Sequence, residues 1–121
     1  MPVSKILVVD DSEVERLYLK KILLEAGYQV VTAASGKEAL EKARSEKPDL
    51  VCLDIIMDEM DGFKACRALN NDESTRHIPV IVVSSKNQKV DRLWAQQQGA
   101  RAYVTKPYTA DDITEQVRKF H

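Results

Sequence analysis

Four apolar runs in this sequence end on residues able to do chemistry together. Asp10 and Asp11 close the first, Asp54 the second, Ser84 the third, and Lys106, followed by Pro107, the fourth. If the first two runs are neighbouring strands of a parallel sheet, three carboxylates crowd together. Like charges at that range repel unless something neutralises them. A hard divalent cation with oxygen ligands is the natural solution, and Mg²⁺ suits a site that keeps waters and also holds a phosphate. Lys106 is a mobile point charge able to pair with a phosphoryl oxygen, and Ser84 has a hydroxyl to offer another. Taken singly, each residue has a plainer use, since acids after strands often cap helices, as Asp11 or Ser12 could. The joint pattern, with Asp-Asp, Asp, Ser and Lys-Pro at successive run ends, is what points to chemistry.

The elements that must position these groups follow from periodicity. Five short apolar runs read as strands: Lys5–Asp10, Gln29–Ala33, Leu50–Asp54, Val80–Ser84 and Ala102–Thr105. Four of them carry few internal charges, as expected of strands covered on both faces. Helical patterns lie between. Leu19, Ile22, Leu23 and Ala26 share one helix face, with Ser12 and Glu15 as its capping box and Gly27 as its stop. Ser35 with Glu38 opens a second helix, whose buried stripe is Gly36, Ala39, Leu40 and Ala43. Phe63, Cys66 and Leu69 mark a third. Val90, Leu93 and Trp94 mark a fourth, ended by Gly99, with Trp94 expected in a core or half-buried role. Thr109 caps a fifth with Asp112, and Ile113, Val117 and Phe120 form its inner face. Five alternations of strand and helix predict an α/β fold, a doubly wound five-stranded parallel sheet with helices on both faces. Such sheets place their chemistry at the carboxyl ends of the strands.

Composition narrows the function. A chain of 121 residues fits one domain of ~100–200 residues and can bury a core without a disulfide or metal staple. Hydrophobic residues make up 44% and charged residues 31%, as in an ordinary globule. The 18 basic and 19 acidic side chains leave a net charge of -1, which argues against nucleic acid as a partner and gives no polybasic membrane anchor. Cys52 and Cys66 form no C-x-x-C pair and read as reduced core thiols. The N-terminus lacks the features of a signal peptide, and no apolar run approaches the roughly 20 residues of a membrane span. The expected location is the cytoplasm. His77 and His121 have no sequence partner for a metal or relay site, and Gln96-Gln97-Gln98 reads as a solvated helix end.

The stretches Ile6-Leu7-Val8-Val9-Asp10-Asp11-Ser12, Leu53-Asp54-Ile55-Ile56-Met57 leading to Met60-Asp61-Gly62, Ile78–Ser84, and Gly99-Ala100-Arg101-Ala102-Tyr103-Val104-Thr105-Lys106-Pro107 together resemble the receiver family of two-component response regulators. The resemblance runs over almost the whole chain, 1–121, with no output domain following. It is similar to stand-alone, chemotaxis-type (CheY-like) regulators of flavodoxin-like fold. The segment from Ile78 through Trp94 to Arg101 further resembles regulators of type IV pilus twitching motility.

The resemblance implies that Asp54 accepts a phosphoryl group from a histidine kinase. It implies that Asp11 and Asp54 bind Mg²⁺ directly with the backbone carbonyl of Ile56, while Asp10 acts mainly through a metal-bound water. Lys106 and Ser84 would hold phosphoryl oxygens, and Tyr103 would be the aromatic switch. The chain would then be a signalling switch, likened to an enzyme only in its own phosphorylation and dephosphorylation. Its output would be a monomer's helix-four, strand-five, helix-five face, carrying Lys89, Arg92, Arg101 and Tyr108. Two departures stand out. Asp58 occupies a position the family usually gives to proline, adding negative charge and removing a stiff turn residue. The switch hydroxyl is serine rather than threonine.

The same residues admit other readings. A phosphate sink for a kinase fits the same chemistry. A small Mg²⁺-dependent aspartyl-phosphate phosphatase of the haloacid type needs an acid two residues after its nucleophile, where this chain has Ile56. A pseudo-receiver acting only by docking would lack chemical residues, and none is missing here.

Overall fold

The computed structural model describes residues 3–56 and 62–120. Met57, Asp58, Glu59, Met60 and Asp61 lie outside the described residues, and with them the expectation about Asp58. His121 does too. Strands and helices alternate as β1 (Lys5–Val9), α1 (Glu13–Glu25), β2 (Gln29–Ala33), α2 (Gly36–Glu46), β3 (Leu50–Leu53), α3 (Gly62–Asn71), β4 (Val80–Ser84), α4 (Lys89–Gln97), β5 (Ala102–Thr105) and α5 (Ala110–Arg118). The five strands form one parallel sheet in the order β2-β1-β3-β4-β5. The expected fold is the observed one.

Because side chains alternate along a strand, each strand feeds two cores. Leu7, Val9, Val51, Leu53 and Val82 point to one face and pack with Ala39 and Ala43 of α2 and Ala65, Cys66 and Leu69 of α3. Ile6, Val8, Leu50, Cys52, Ile81 and Val83 point to the other and meet Leu19, Ile22 and Leu23 of α1 and Ile113 and Val117 of α5. Each fully buried Leu or Ile contributes about 1.5–3 kcal/mol relative to exposure. Both cysteines are buried and free. Burial pushes the Cys52 thiol up to about 12 and the Cys66 thiol up to about 11, so neither is a reactive thiolate.

Two strands end one residue earlier than their sequence suggests, at Val9 and Leu53. Asp10 and Asp54 still extend the ladder by their N–H groups, to the carbonyls of Ala33 (3.1 Å) and Val9 (3.0 Å). Their carboxylates, however, turn back to accept from the next loop, Asp10 from the Ser12 N–H and Asp54 from the Ile56 N–H, both at 2.9 Å. This local bonding, typical of aspartate at turns, bends the chain out of the sheet where the chemistry is needed.

α4 departs from expectation. Ala95 is its buried residue, while Val90, Leu93 and Trp94 are 48%, 47% and 55% exposed. A small residue lets the helix lie against the sheet, and the larger apolar stripe turns outward. Trp94 touches Phe63 of α3 edge-on, with ring centroids 6.0 Å apart, and is neither core nor half-buried. No described helix is long and apolar enough to cross a membrane.

Candidate functional site

The β1–β3 register places the acids together. Val9 pairs with Leu53, so the next residue of each strand, Asp10 and Asp54, leaves the sheet side by side. Lys106 follows β5, held by its own N–H donating to the Ser84 carbonyl at 2.8 Å. Its Nζ reaches back across the sheet to Asp10 Oδ2 (2.8 Å) and Asp54 Oδ2 (3.4 Å), and also pairs with the Glu15 carboxylate. Arg16 steadies the same corner by donating from a guanidinium nitrogen to the Asp10 carbonyl at 2.8 Å.

These groups line a cleft of about 480 Å³ bounded by Asp10, Asp11, Glu15, Asp54, Ile56, Ser85, Lys106 and Pro107. Asp10 and Asp54 are buried at its floor. Asp11 is exposed at its edge, and Ile56 presents its side chain to the cleft. Ser84 is fully buried and does not line the cleft, whereas Ser85 does. The Ser84 hydroxyl instead accepts from the Lys86 N–H at 3.2 Å.

The electrostatics are unbalanced. Burial pushes the Asp54 carboxyl above the ordinary aspartate range, and the Ile56 N–H and Lys106 ammonium only partly oppose it, with Asp10 adding repulsion. Lys106 shows the opposite outcome of the same contacts. Burial disfavours its charge, but the hydrogen bonds it donates to Asp10 and Glu15 and the charge of Asp54 more than offset that and hold it above the usual lysine value. Three carboxylates thus share a single ammonium.

The donor set fits a hard cation. One oxygen each from Asp10, Glu15 and Asp54 lie within 4.8 Å of one another, and small hard ions take such oxygen ligands. Sequence reasoning marked Asp10 and Asp54, and both lie in this cluster. It put Asp11 there too, and the structure sets Asp11 at the rim of the cleft, outside that trio. It missed Glu15, which it read as a helix cap.

Tyr103 of β5 is half-buried, and its hydroxyl donates to the Lys86 carbonyl at 2.6 Å. Burial raises its phenol above the usual range, with the adjacent Ser84 hydroxyl acting in the opposite sense. The Arg92 guanidinium lies 4.9 Å from the centre of its ring and donates to Thr105 Oγ1 at 2.8 Å. Arg92, Ala95, Gln96, Ala100, Arg101 and Tyr103 are among the walls of a second cleft, about 450 Å³, between α4 and β5. Tyr108 points elsewhere, packing 5.8 Å from Tyr18 of α1.

Comparison with known proteins agrees with this geometry. The family described as response regulator receiver domain matches residues 6–118. The chain is 42% identical to Protein PilH of Pseudomonas aeruginosa over 94% of both sequences. Its structure superposes on chemotaxis protein CheY4 of Vibrio cholerae with a TM-score of 0.92 and 28% identity, covering 98% of this chain and 99% of that one. It also superposes on the receiver domain of sensor histidine kinase PA1611 from Pseudomonas aeruginosa, with a TM-score of 0.90 and 25% identity over 98% of this chain and 97% of that one. That structure has a magnesium ion coordinated in its active-site cleft. The chain belongs to the response regulator receiver domain family, the phosphorylated switches of two-component signalling.

Proposed function

We propose that Asp54 takes a phosphoryl group from a histidine kinase in a Mg²⁺-dependent reaction, and that the α4-β5-α5 face carries the result to a partner protein. The observation behind this is the convergence of Lys106 on Asp10 and Asp54 at the strand ends. An Asp54 oxygen attacks phosphorus in line, forming an O–P bond as the P–N bond to the donor imidazole breaks. Little covalent work falls to the protein, so positioning and charge neutralisation dominate. Asp11, Asp54 and the Ile56 carbonyl would hold the cation directly and Asp10 mainly through a bound water, and the cation would supply positive charge to the carboxylates and phosphoryl oxygens. Lys106 pairs with one phosphoryl oxygen. The Ser84 hydroxyl, once turned from Lys86, donates to another. Burial raises the Asp54 carboxyl, and positive charge beside it would favour the ionised form that attacks phosphorus.

The match to Protein PilH, beside the resemblance of Ile78–Arg101 to twitching-motility regulators, supports a pathway controlling pili or motility, with a phosphate sink as the alternative outcome of the same chemistry; the chain would act there as a cytoplasmic monomer. Incubation with acetyl phosphate and Mg²⁺, followed by intact-mass measurement, tests the acceptor. The wild type should gain one phosphoryl group and Asp54→Asn none. Equal labelling of that variant would show that another residue is the acceptor.

A further inference from the structure

Ser12-x-x-Glu15 has the spacing of a reciprocal capping box, but only half of it forms. The Glu15 N–H donates to Ser12 Oγ at 3.4 Å. The Ser12 N–H, which a capping glutamate would accept from, goes instead to Asp10 Oδ1 at 2.9 Å. Glu15 therefore turns its carboxylate over the mouth of the cleft and pairs with Lys106. It is the outermost of the three acids that pair with Lys106. Its side chain is 47% exposed, against 8% for Asp10 and 9% for Asp54. Of the two distances from Nζ to the floor acids, that to Asp54 is the longer, 3.4 against 2.8 Å.

We propose that Glu15 is a positioning residue that tethers Lys106 toward the mouth of the cleft and so sets the balance between metal binding and phosphoryl binding. The proposal rests on the reading of Asp54 as acceptor. Glu15 acts in opposite directions on the two ligands. Its negative charge attracts a divalent cation into the acidic cluster. A phosphoryl group on Asp54 meets the same charge as repulsion and must also draw Lys106 away from Glu15. Charge on one exposed group, screened by water, acts at the scale of a surface ion pair, and so by small factors.

The test is Glu15→Gln, which keeps the length and helix preference of the side chain and removes its charge. Mg²⁺ is titrated while the amide resonances of Ile55 and Ile56 are followed. Beryllofluoride, a phosphoryl mimic, is then titrated at saturating Mg²⁺. Relative to wild type, Mg²⁺ should bind about two- to fivefold more weakly and beryllofluoride about two- to fivefold more tightly. Both differences should shrink as ionic strength rises. Glu15→Asp, which restores the charge, should bring Mg²⁺ affinity back toward wild type. If both constants are unchanged, or both move in the same direction, Glu15 has no such role. If wild type and Asp54→Asn take beryllofluoride alike, the acceptor assignment itself fails, and the role of Glu15 fails with it.

Discussion

Ser84 and Tyr103 are joined through Lys86, whose N–H donates to Ser84 Oγ at 3.2 Å and whose carbonyl accepts from the Tyr103 hydroxyl at 2.6 Å. Any motion that takes the Ser84 hydroxyl toward a phosphoryl group on Asp54 removes the acceptor of the Lys86 N–H. The loop is then free to shift, and Tyr103 loses the carbonyl that holds it outward. A local change of this kind can bias a two-state surface. Trp94 on α4 is a built-in probe. Beryllofluoride with Mg²⁺ should change its fluorescence, and Ser84→Ala should remove most of that change while leaving Mg²⁺ affinity near wild type. The variant should also lose about 0.5–1.5 kcal/mol of stability with the hydrogen bond. Amide shifts confined to the loops around Asp10, Asp54 and Lys106 would rule the relay out.

The lifetime of the phosphorylated state should depend on Ile56 and Lys86. Ile56 is 44% exposed on the cleft and has no polar group to orient an attacking water. Lys86 is exposed two residues after Ser84, and its charge is expected to act on a phosphoryl group at Asp54. Replacing them together, Ile56→Asn with Lys86→Glu, should quicken loss of phosphate on the order of tenfold, or ~1.4 kcal/mol of barrier. Release of inorganic phosphate after removal of the donor measures it, and an unchanged or slower rate would refute the account.

Gly62 is fixed by contact rather than by conformation. Its N–H donates to the Ile55 carbonyl at 3.1 Å, and a Cβ there would collide with the Ile55 Cα and the Asp54 carbonyl. The obstruction is backbone, which cannot swing aside as a side chain can. Gly62→Ala should therefore cost at least ~1–3 kcal/mol by overpacking and slow labelling by acetyl phosphate in whatever fraction still folds. Urea unfolding and intact mass together separate the two effects. A fully stable variant labelled at the normal rate would show that the segment after Asp54 can relax.

Asp49 supplies a pH dependence away from the cleft. Its carboxylate accepts from the Ser4 and Lys5 N–H groups, each at 3.0 Å, and these bonds hold it below the ordinary aspartate range. An acid whose folded value is depressed contributes stability above its unfolded value, and loses it as pH falls through the folded one. Asp49→Asn should lower the urea midpoint at pH 7, and the gap to wild type should close below about pH 4, the ordinary aspartate value. A gap that stays constant down to acid pH would show that the carboxylate charge is not what matters.

The apolar face of α4 should behave as surface in the isolated protein. Leu93→Ala and Trp94→Ala should each change stability by no more than about 0.5 kcal/mol, and both should weaken capture of the partner by the phosphorylated form. A loss of several kcal/mol would mean that this face is covered in solution.

Much of this was legible in the residues. The strand runs were readable because β1, β3 and β4 are buried on both faces, which strips them of charge. Asp10 and Asp54 were readable because each directly follows such a run, and Lys106 because it closes the partly buried run of β5. Two features resisted. Val90, Leu93 and Trp94 have helical spacing, but spacing shows only that a face is apolar, not whether sheet or solvent lies opposite. Glu15 satisfied a capping rule that competes with a tertiary ion pair. The outcome depended on Asp10 claiming the Ser12 N–H first and on Lys106 arriving from the far end of the chain. Neither event has a local signature.

The pairing of Val9 with Leu53 has a consequence for folding. A slip of one step between these strands would turn every side chain of β3 to the opposite core and carry the Asp54 carboxylate away from that of Asp10. The unfolded chain has no such arrangement at all. Cation affinity is therefore a gauge of correct strand alignment, and a ligand that binds only the aligned state raises the free energy of unfolding by mass action. A protein whose message depends on this cluster carries its own proofreading: molecules paired out of step hold neither the ion nor the signal.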